Sequence, residues 1–100
     1  MNGAQLIAAE RQRQVRAEGF SEDGDRKHGS GQLARAGIFY AHAAFIQSTI
    51  LKPPRLPVPY LWPLRKKWWK PSRDPIRNLV KAGALIAAEI DRLQHAKEKK

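Results

Sequence analysis

The sequence has no cysteine, no long apolar run and few acidic residues. The absence of cysteine excludes disulfide scaffolds, thiolate zinc sites and thiol catalysis, and it suits a reducing cytoplasm. The longest nearly apolar run, residues 36–46, is interrupted by His42 and is far shorter than the roughly 20 residues that cross a bilayer. The first ten residues lack the basic-then-apolar order of a secretory signal. We therefore expect a soluble chain that is neither exported nor bound to a membrane.

Positive charge is concentrated in the middle of the chain. Nineteen Lys and Arg oppose nine Asp and Glu, which gives a formal net charge of +10. Residues 1–30 are neutral in sum, whereas residues 31–80 carry nine basic side chains and Asp74 as their one acid. Seven of those basic side chains fall between Lys52 and Arg73, together with all three tryptophans and six of the seven prolines. A function for this protein has to explain that segment.

The spacing of apolar residues predicts an all-α fold, a small three-helix domain that spans all 100 residues. The helices are expected at about 4–18, 32–51 and 74–95. The first is predicted to pack at the edge, and the second to be central and mostly buried. The third opens at Asp74 with Pro75 in the first helical position. Small residues, among them Gly37 and Gly83, predict a close approach of helices two and three.

Between helices two and three we expect a long Pro/Trp/Lys-rich loop, residues 52–73, with neither helix nor strand. Proline favours extended backbone that projects side chains outward, and a loop of this length is usually functional or disordered. Its large apolar side chains argue against full disorder. Two compatible interpretations stay open. The tryptophans either cap a small helical core or contact a partner, for example with Trp62 buried and Trp68 or Trp69 exposed.

A basic segment with interleaved aromatic side chains has two common uses. Single-strand nucleic-acid binders gather phosphates with Lys and Arg and stack bases on aromatic rings. Protein interfaces use Trp, Tyr and Arg as large, rigid anchors. Composition does not separate these uses, and a merely solvated basic loop is the third alternative. No motif for reading DNA or RNA sequence is present, so any direct nucleic-acid binding is expected to be nonspecific.

An acidic stretch after the first helix raises the question of a metal site. The candidate ligands are Glu22, Asp23, Asp25 and His28. Arg26 and Lys27 lie among them and would oppose a cation, and the calcium-loop spacing is absent. Helix capping and solvation explain these residues more economically. We therefore expect no metal and no cofactor, and we find no arrangement that predicts catalytic residues.

Four segments of the chain resemble small proteins encoded by phages and prophages of Proteobacteria. They are LIAAERQRQV (6–15), EGFSEDGDRKHGSGQLARA (18–36), WPLRKKWWKP (62–71) and RNLVKAGALIAAEIDRL (77–93). Together they cover more than half of the chain in the same order. Relatives read E-G-W-T-P-E-H-D-D-x-H-x-x-G-E-L-A at residues 18–34, and this chain departs from the pattern at Phe20, Gly24, Arg26 and Gln32. Three of these departures remove candidate ligands or carboxylates.

The same pattern is distantly similar to all-α nucleotide pyrophosphohydrolases. The paired E-x-x-E helix of those enzymes is missing here, because Glu22 and Asp25 fall in a predicted loop. The resemblance therefore implies at most a degenerate relative, and we expect the chain not to be an enzyme.

Within the phage family the chain also resembles anti-CRISPR proteins directed at the type I-F system. The resemblance implies a stoichiometric inhibitor in the host bacterial cytoplasm that binds protein subunits of the surveillance complex and blocks target-DNA binding. Because a mimic of DNA would be acidic, a basic inhibitor must obstruct the DNA path, dock on an acidic subunit surface, or contact guide RNA or DNA phosphates. The expected partner-binding residues are Arg65, Lys66, Lys67, Trp68, Trp69 and Lys70, with Arg26 and Lys27 secondary. A nonspecific nucleic-acid-binding phage protein is the main alternative, and the oligomeric state is left open.

Overall fold

A computed structural model describes residues 1–18, 31–49 and 56–98. These residues form the helices α1 (Gly3–Glu18), α2 (Gln32–Gln47) and α3 (Pro75–Glu98), and a single 3-10 turn, Lys66–Trp68. No β-strand occurs in these three stretches, and none of their helices combines the length and hydrophobicity of a membrane span. The predicted all-α fold, with a long connection between the second and third helices, is confirmed. The 3-10 turn inside that connection was not expected from the sequence.

Side-chain caps determine where α1 and α3 begin. The Oδ1 atom of Asn2 accepts the N–H of Gln5 at 2.9 Å, and the Oε1 atom of Gln5 accepts the N–H of Asn2 at 2.9 Å. This reciprocal exchange is a capping box. At the start of α3, Asp74 Oδ1 accepts the N–H of Ile76 at 2.9 Å, and Pro75 fills the first position, where a missing N–H costs nothing. The predicted start of the third helix is confirmed.

The far ends of two helices differ from the expected ones. α2 ends at Gln47 rather than at 51, because the hydroxyls of Ser48 and Thr49 donate to the carbonyl oxygens of Ala44 and Ile46 at 2.9 and 2.6 Å. Such local bonds satisfy carbonyls of the last turn and compete with continuation of the helix. α3 runs to Glu98, three residues beyond the expected end.

The central element is α3, which packs against both α1 and α2. The buried apolar cluster contains Leu33, Ala36, Tyr40, Ala82, Leu85 and Ala88. The prediction that the second helix is central is wrong, because α3 is the helix that packs against both others. Most residues of α2 are buried or half-buried, as expected, but Ile38 and Phe45 are 63% and 65% exposed. Apolar spacing shows which residues share a helix face, but it does not show which of several apolar faces finds a neighbour.

Two glycines, Gly37 on α2 and Gly83 on α3, let neighbouring helices pack closely against α3. A Cβ on Gly37 would lie 3.1 Å from Ile86 Cγ1 and 3.2 Å from the carbonyl oxygen of Ala82, so the close approach of α2 and α3 is confirmed there. Gly83 serves a different contact from the predicted one. Ile7 of α1 lies over it, and a Cβ on Gly83 would lie 2.5 Å from Ile7 Cδ1.

A buried carboxylate joins α1 to α3. Glu10 is only 2% exposed, and it accepts two hydrogen bonds of 2.8 Å from Arg13 and another from Arg77 of α3. Gln14 also donates to it at 3.2 Å. Burial by itself raises the pKa of Glu10, but the hydrogen bonds and charges of the two guanidinium groups outweigh burial and hold that pKa below its ordinary value of 4.5.

Acid is expected to weaken the fold through Glu10. Because its pKa is lower in the folded than in the unfolded chain, its stabilising contribution is complete above 4.5 and is lost as the pH falls through the folded pKa. Urea unfolding followed by circular dichroism should show a midpoint that drops below about pH 5. Glu10→Gln should flatten this dependence, whereas Glu98→Gln, at an exposed helix end, should not. An unchanged slope in Glu10→Gln would assign the acid sensitivity to other groups.

Candidate partner-binding site

Three aromatic rings, those of Tyr40, Trp62 and Trp69, form a cluster that fixes the connection between α2 and α3. The Tyr40 ring centroid lies 4.8 Å from that of Trp69 and 5.8 Å from that of Trp62. The two indole rings are 5.0 Å apart and tilted by 60°. Tilted and edge-on pairs of this kind stabilise beyond the area that they bury. We call these three residues the aromatic cluster.

The indole N–H groups of the cluster are used inside the protein. Trp69 Nε1 donates to the carbonyl oxygen of Leu56 at 2.9 Å, and Trp62 Nε1 donates to that of Arg65 at 3.0 Å. The same Arg65 carbonyl accepts the N–H of Trp68 at 2.9 Å, which closes the 3-10 turn. The tryptophans therefore hold the backbone of the connection in one shape.

The hydroxyl of Tyr40 ties the end of this turn to the core. It donates to the carbonyl oxygen of Trp68 at 3.0 Å and accepts the N–H of Lys70 at 2.8 Å. Lys81 of α3 adds a third tie, because its Nζ atom donates to the carbonyl oxygen of Lys70 and lies 5.6 Å from the centroid of the Tyr40 ring. Both sides of Trp69 are thus attached to helices.

A network of buried polar side chains fixes the chain at the start of α3. The amide of Asn78, which is fully buried, donates to Gln47 Oε1 at 2.8 Å and to the carbonyl oxygen of Ser72 at 2.9 Å. Asn78 Oδ1 accepts the N–H of Ser72 at 2.8 Å, and the Gln47 amide donates to the Ser72 carbonyl at 2.7 Å. Because these buried polar groups satisfy one another, the segment from the turn to α3 has a defined position.

This framework presents four exposed basic side chains, which we call the basic turn. They are Arg65, Lys66, Lys67 and Lys70. None of the ion pairs found among the described residues involves Arg65, Lys66 or Lys67. Asp74 is the only acid in residues 56–74, and its carboxylate caps α3. The turn itself is therefore strongly positive.

The structure brings six of the eight predicted contact residues together. The four basic ones are exposed, whereas Trp68 and Trp69 are half-buried and pack against the core. Trp62 is half-buried as well, so the division into one buried and one exposed tryptophan is not found. The core-capping interpretation of the tryptophans fits this packing.

Other predicted positions fall outside the described residues. Arg26 and Lys27 lie there, and so does the whole acidic stretch with its candidate ligands. Among the residues that the structure describes, no group of three or more His, Asp or Glu side chains is placed to hold a metal ion.

Sequence reasoning missed the residues that position the site. Tyr40, Asn78 and Lys81 each anchor the connection, although none was singled out as functional. One signal was available, since an asparagine within the apolar pattern of the third helix is a polar group that must find partners when buried. Its partners come from distant parts of the chain, and the sequence does not name them.

A small cavity lies behind the aromatic cluster. Its volume is about 10 Å³, and Gln14, Trp62, Trp68 and Lys81 are among the residues that line it. The buried Oε1 atom of Gln14 accepts no hydrogen bond from the described residues. A space of this size and polarity suits one water molecule, and it is far smaller than the roughly 300 Å³ of a small-molecule pocket.

Comparisons with protein-family models, with curated proteins and with solved structures found no match to this chain. The resemblance to phage and prophage proteins thus stays a prediction from the sequence.

Removal of the Tyr40 hydroxyl should loosen the basic turn. In Tyr40→Phe the Lys70 N–H and the Trp68 carbonyl lose their partner, and we expect the free energy of unfolding to fall by about 1–2 kcal/mol. Urea unfolding monitored by tryptophan fluorescence measures this loss. Tyr60→Phe is the matched control, because Tyr60 is 99% exposed and its hydroxyl should contribute little. Equal stabilities of the two variants would contradict the anchoring role.

Proposed function

We propose that this protein is a binding protein whose basic turn docks on an anionic surface of a type I-F CRISPR surveillance complex and blocks its binding of target DNA. The observation that carries the proposal is the basic turn itself. It presents Arg65, Lys66, Lys67 and Lys70 to solvent, with Asp74 as the one acid nearby in sequence. The choice of partner rests on the sequence resemblance.

The rigidity of the turn favours a role in binding. A solvated basic loop would lose conformational entropy when it docks, which reduces affinity. Here Tyr40, Lys81 and Asn78 already fix the backbone on either side of the turn. The basic side chains start from a backbone that is ordered before the partner arrives, so less of the interaction free energy is spent on ordering.

The chemistry of the turn selects an anionic partner. Arg and Lys head groups donate hydrogen bonds to phosphate and carboxylate oxygens, and at an interface such charges set the encounter rate and the register. An RNA-guided complex contains guide-RNA phosphates and also offers subunit surfaces. A protein bound beside the guide would occupy space that the target strand needs.

Nonspecific binding to free nucleic acid is the second candidate, favoured by the same exposed charges. Single-strand binders add base stacking on open aromatic faces. In this protein the indole rings of Trp62 and Trp69 pack on each other and on Tyr40, and their N–H groups are already bonded. Binding to free strands would thus depend mainly on phosphates. No described residue supports the third alternative, a degenerate pyrophosphohydrolase, because Glu22 and Asp25 lie outside the described residues.

Charge reversal on the basic turn tests the proposal. A purified, guide-loaded type I-F complex retards target DNA in a native gel. The full chain should prevent this when it is added at about one copy, or a few copies, per complex. Lys66→Glu with Lys67→Glu should weaken this inhibition by about tenfold or more, because attraction becomes repulsion. Arg16→Glu with Arg35→Glu is the matched control, since it changes the net charge equally at exposed sites on α1 and α2.

The result separates the two candidates. Docking on the complex is supported if inhibition persists at moderate salt. The Lys66/Lys67 variant should then lose inhibition, and the Arg16/Arg35 variant should keep it. Binding to naked DNA that falls steeply with salt, with a slope reduced by about two in the Lys66/Lys67 variant, supports the nucleic-acid binder. Equal loss in both variants means that only net charge matters, and this outcome would remove the basic turn as a site.

A further inference from the structure

One side of the molecule is largely apolar and exposed. On α3 it consists of Ile76, Leu79, Ile86, Ile90 and Leu93, whose exposed fractions range from 45% to 62%. Together with Gly83, these residues are spaced by alternating steps of three and four, which is the pattern of a helix seam that packs against another helix. Such a seam normally finds a partner.

The helices of the same chain touch the seam only at Gly83 and on one flank of Ile86, and they leave its five apolar side chains about half exposed. α1 contacts α3 through the ion pairs of Arg77 and Asp91 and through Ile7, which fills the gap at Gly83. α2 contacts α3 at Ala82 and on the flank of Ile86. The exposed seam lies between these two neighbours.

The apolar surface continues onto α2. Gln47 bonds to Asn78 and Gly31 lies near Glu89, so α2 and α3 run antiparallel. Gly37 packs on Ile86, and the next residue, Ile38, is exposed, as is Phe45 two turns later. We call Ile38, Phe45 and the five α3 side chains the apolar face.

The size of the apolar face suits a protein interface. A fully exposed Ile, Leu or Phe presents roughly 150–200 Å², so seven such residues that are about half exposed present on the order of 700 Å². That area exceeds the roughly 300–600 Å² of the largest patch on a typical monomer and approaches the roughly 800 Å² that each partner contributes to a stable interface. A solvent-facing role would leave this area unexplained.

Charge and symmetry select a second copy as the occupant. The α3 positions beside the middle of the seam, Ala82 and Ala87, are uncharged, Glu89 is buried and paired with Arg92, and Asp91 is paired with Arg11. Charged or polar groups border the face at its edges, with Lys97 at the end of the seam and Arg35 and His42 beside Ile38 and Phe45 on α2. The centre of the face therefore offers an anionic partner no counter-charge, whereas another apolar face complements it. From Ile76 to Leu93 the spacings between seam residues are three, four, three, four and three, which is the same order in both directions. Two antiparallel copies of the seam related by a two-fold axis therefore align residue by residue.

The two-fold arrangement also separates the positive charges. Lys81, which contacts the basic turn, falls about 160° around α3 from the centre of the seam. Two copies joined through their apolar faces would thus carry their basic turns on opposite outer sides. In the antiparallel register, Asp74 of each copy lies near the C-terminal end of the partner's α3, where Lys97 is located. A parallel register would bring the two Lys97 side chains together.

We propose that two copies of this chain associate through their apolar faces, with the α3 helices antiparallel and Leu79 of each copy opposite Ile90 of the other. The interface is a four-helix layer built from α2 and α3 of both copies. The dimer presents two basic turns, so it engages an extended anionic partner at two points. The association itself does not depend on the proposed function.

The mass of the full chain in solution tests this proposal. Light scattering coupled to size-exclusion chromatography should give twice the 11.3 kDa of one chain at high protein concentration and a lower mass on dilution. Phe45→Glu and Ile90→Glu should each yield a monomer that keeps its helical circular dichroism. Leu61→Glu is the matched control, because Leu61 is 58% exposed and lies outside the apolar face. It should remain a dimer.

Cross-linking tests the register. Because the chain has no cysteine, introduced thiols report only on the chosen positions. Oxidation should convert the double variant Leu79→Cys with Ile90→Cys into a covalent dimer, whereas neither single variant should cross-link. A chain that stays monomeric at all concentrations would overturn the proposal. The proposal would also be overturned if the chain is monomeric and Phe45→Glu weakens its binding to the surveillance complex. That result would show that the apolar face contacts the complex rather than a second copy. None of these mass measurements requires the complex, so they stand whether or not it is the partner.

Discussion

The two hydrogen bonds of the Tyr40 hydroxyl connect the helical core to the basic turn. They join a buried residue of α2 to the backbone of Trp68 and Lys70, at the point where the chain leaves the 3-10 turn. A proline-rich connection forms few backbone hydrogen bonds of its own, so side chains must supply the partners that a helix or sheet would supply. With the indole N–H bonds and the ties from Lys81 and Asn78, this contact holds the four basic side chains on an ordered backbone.

The distribution of charge and apolar surface follows from the central position of α3. Its side near Lys81 meets the aromatic cluster and carries the positive surface, and its opposite side carries the seam from Ile76 to Leu93. A chain with a net charge of +10 repels other copies of itself. Because the basic turn and the apolar face share no residues, the proposed anionic partner and the proposed second copy would not compete for the same contacts.

The sequence was most informative where local chemistry decides structure. Asp74 followed by Pro75 predicted the start of α3, and the caps found there are local hydrogen bonds. The sequence was least informative about which helices pack against each other. Gly83 was expected to face α2 but lies under Ile7 of α1, and α2 was expected to be central although α3 is the helix that packs against both others. The basic residues of the site were found from composition, whereas Asn78 and Tyr40 were not, because their roles depend on partners 6 to 31 residues away.

The sequence alone determined the all-α class, the start of α3 and the basic character of the connection, because helix periodicity, caps and charge are local properties of the chain. Tertiary structure decided that the tryptophans pack inward, that Tyr40 and Lys81 hold the basic turn, and that one side of α3 stays uncovered. These outcomes depend on which faces meet. That choice is made by the free energy of packing the whole chain, in which each apolar face competes with the others for a limited number of neighbours.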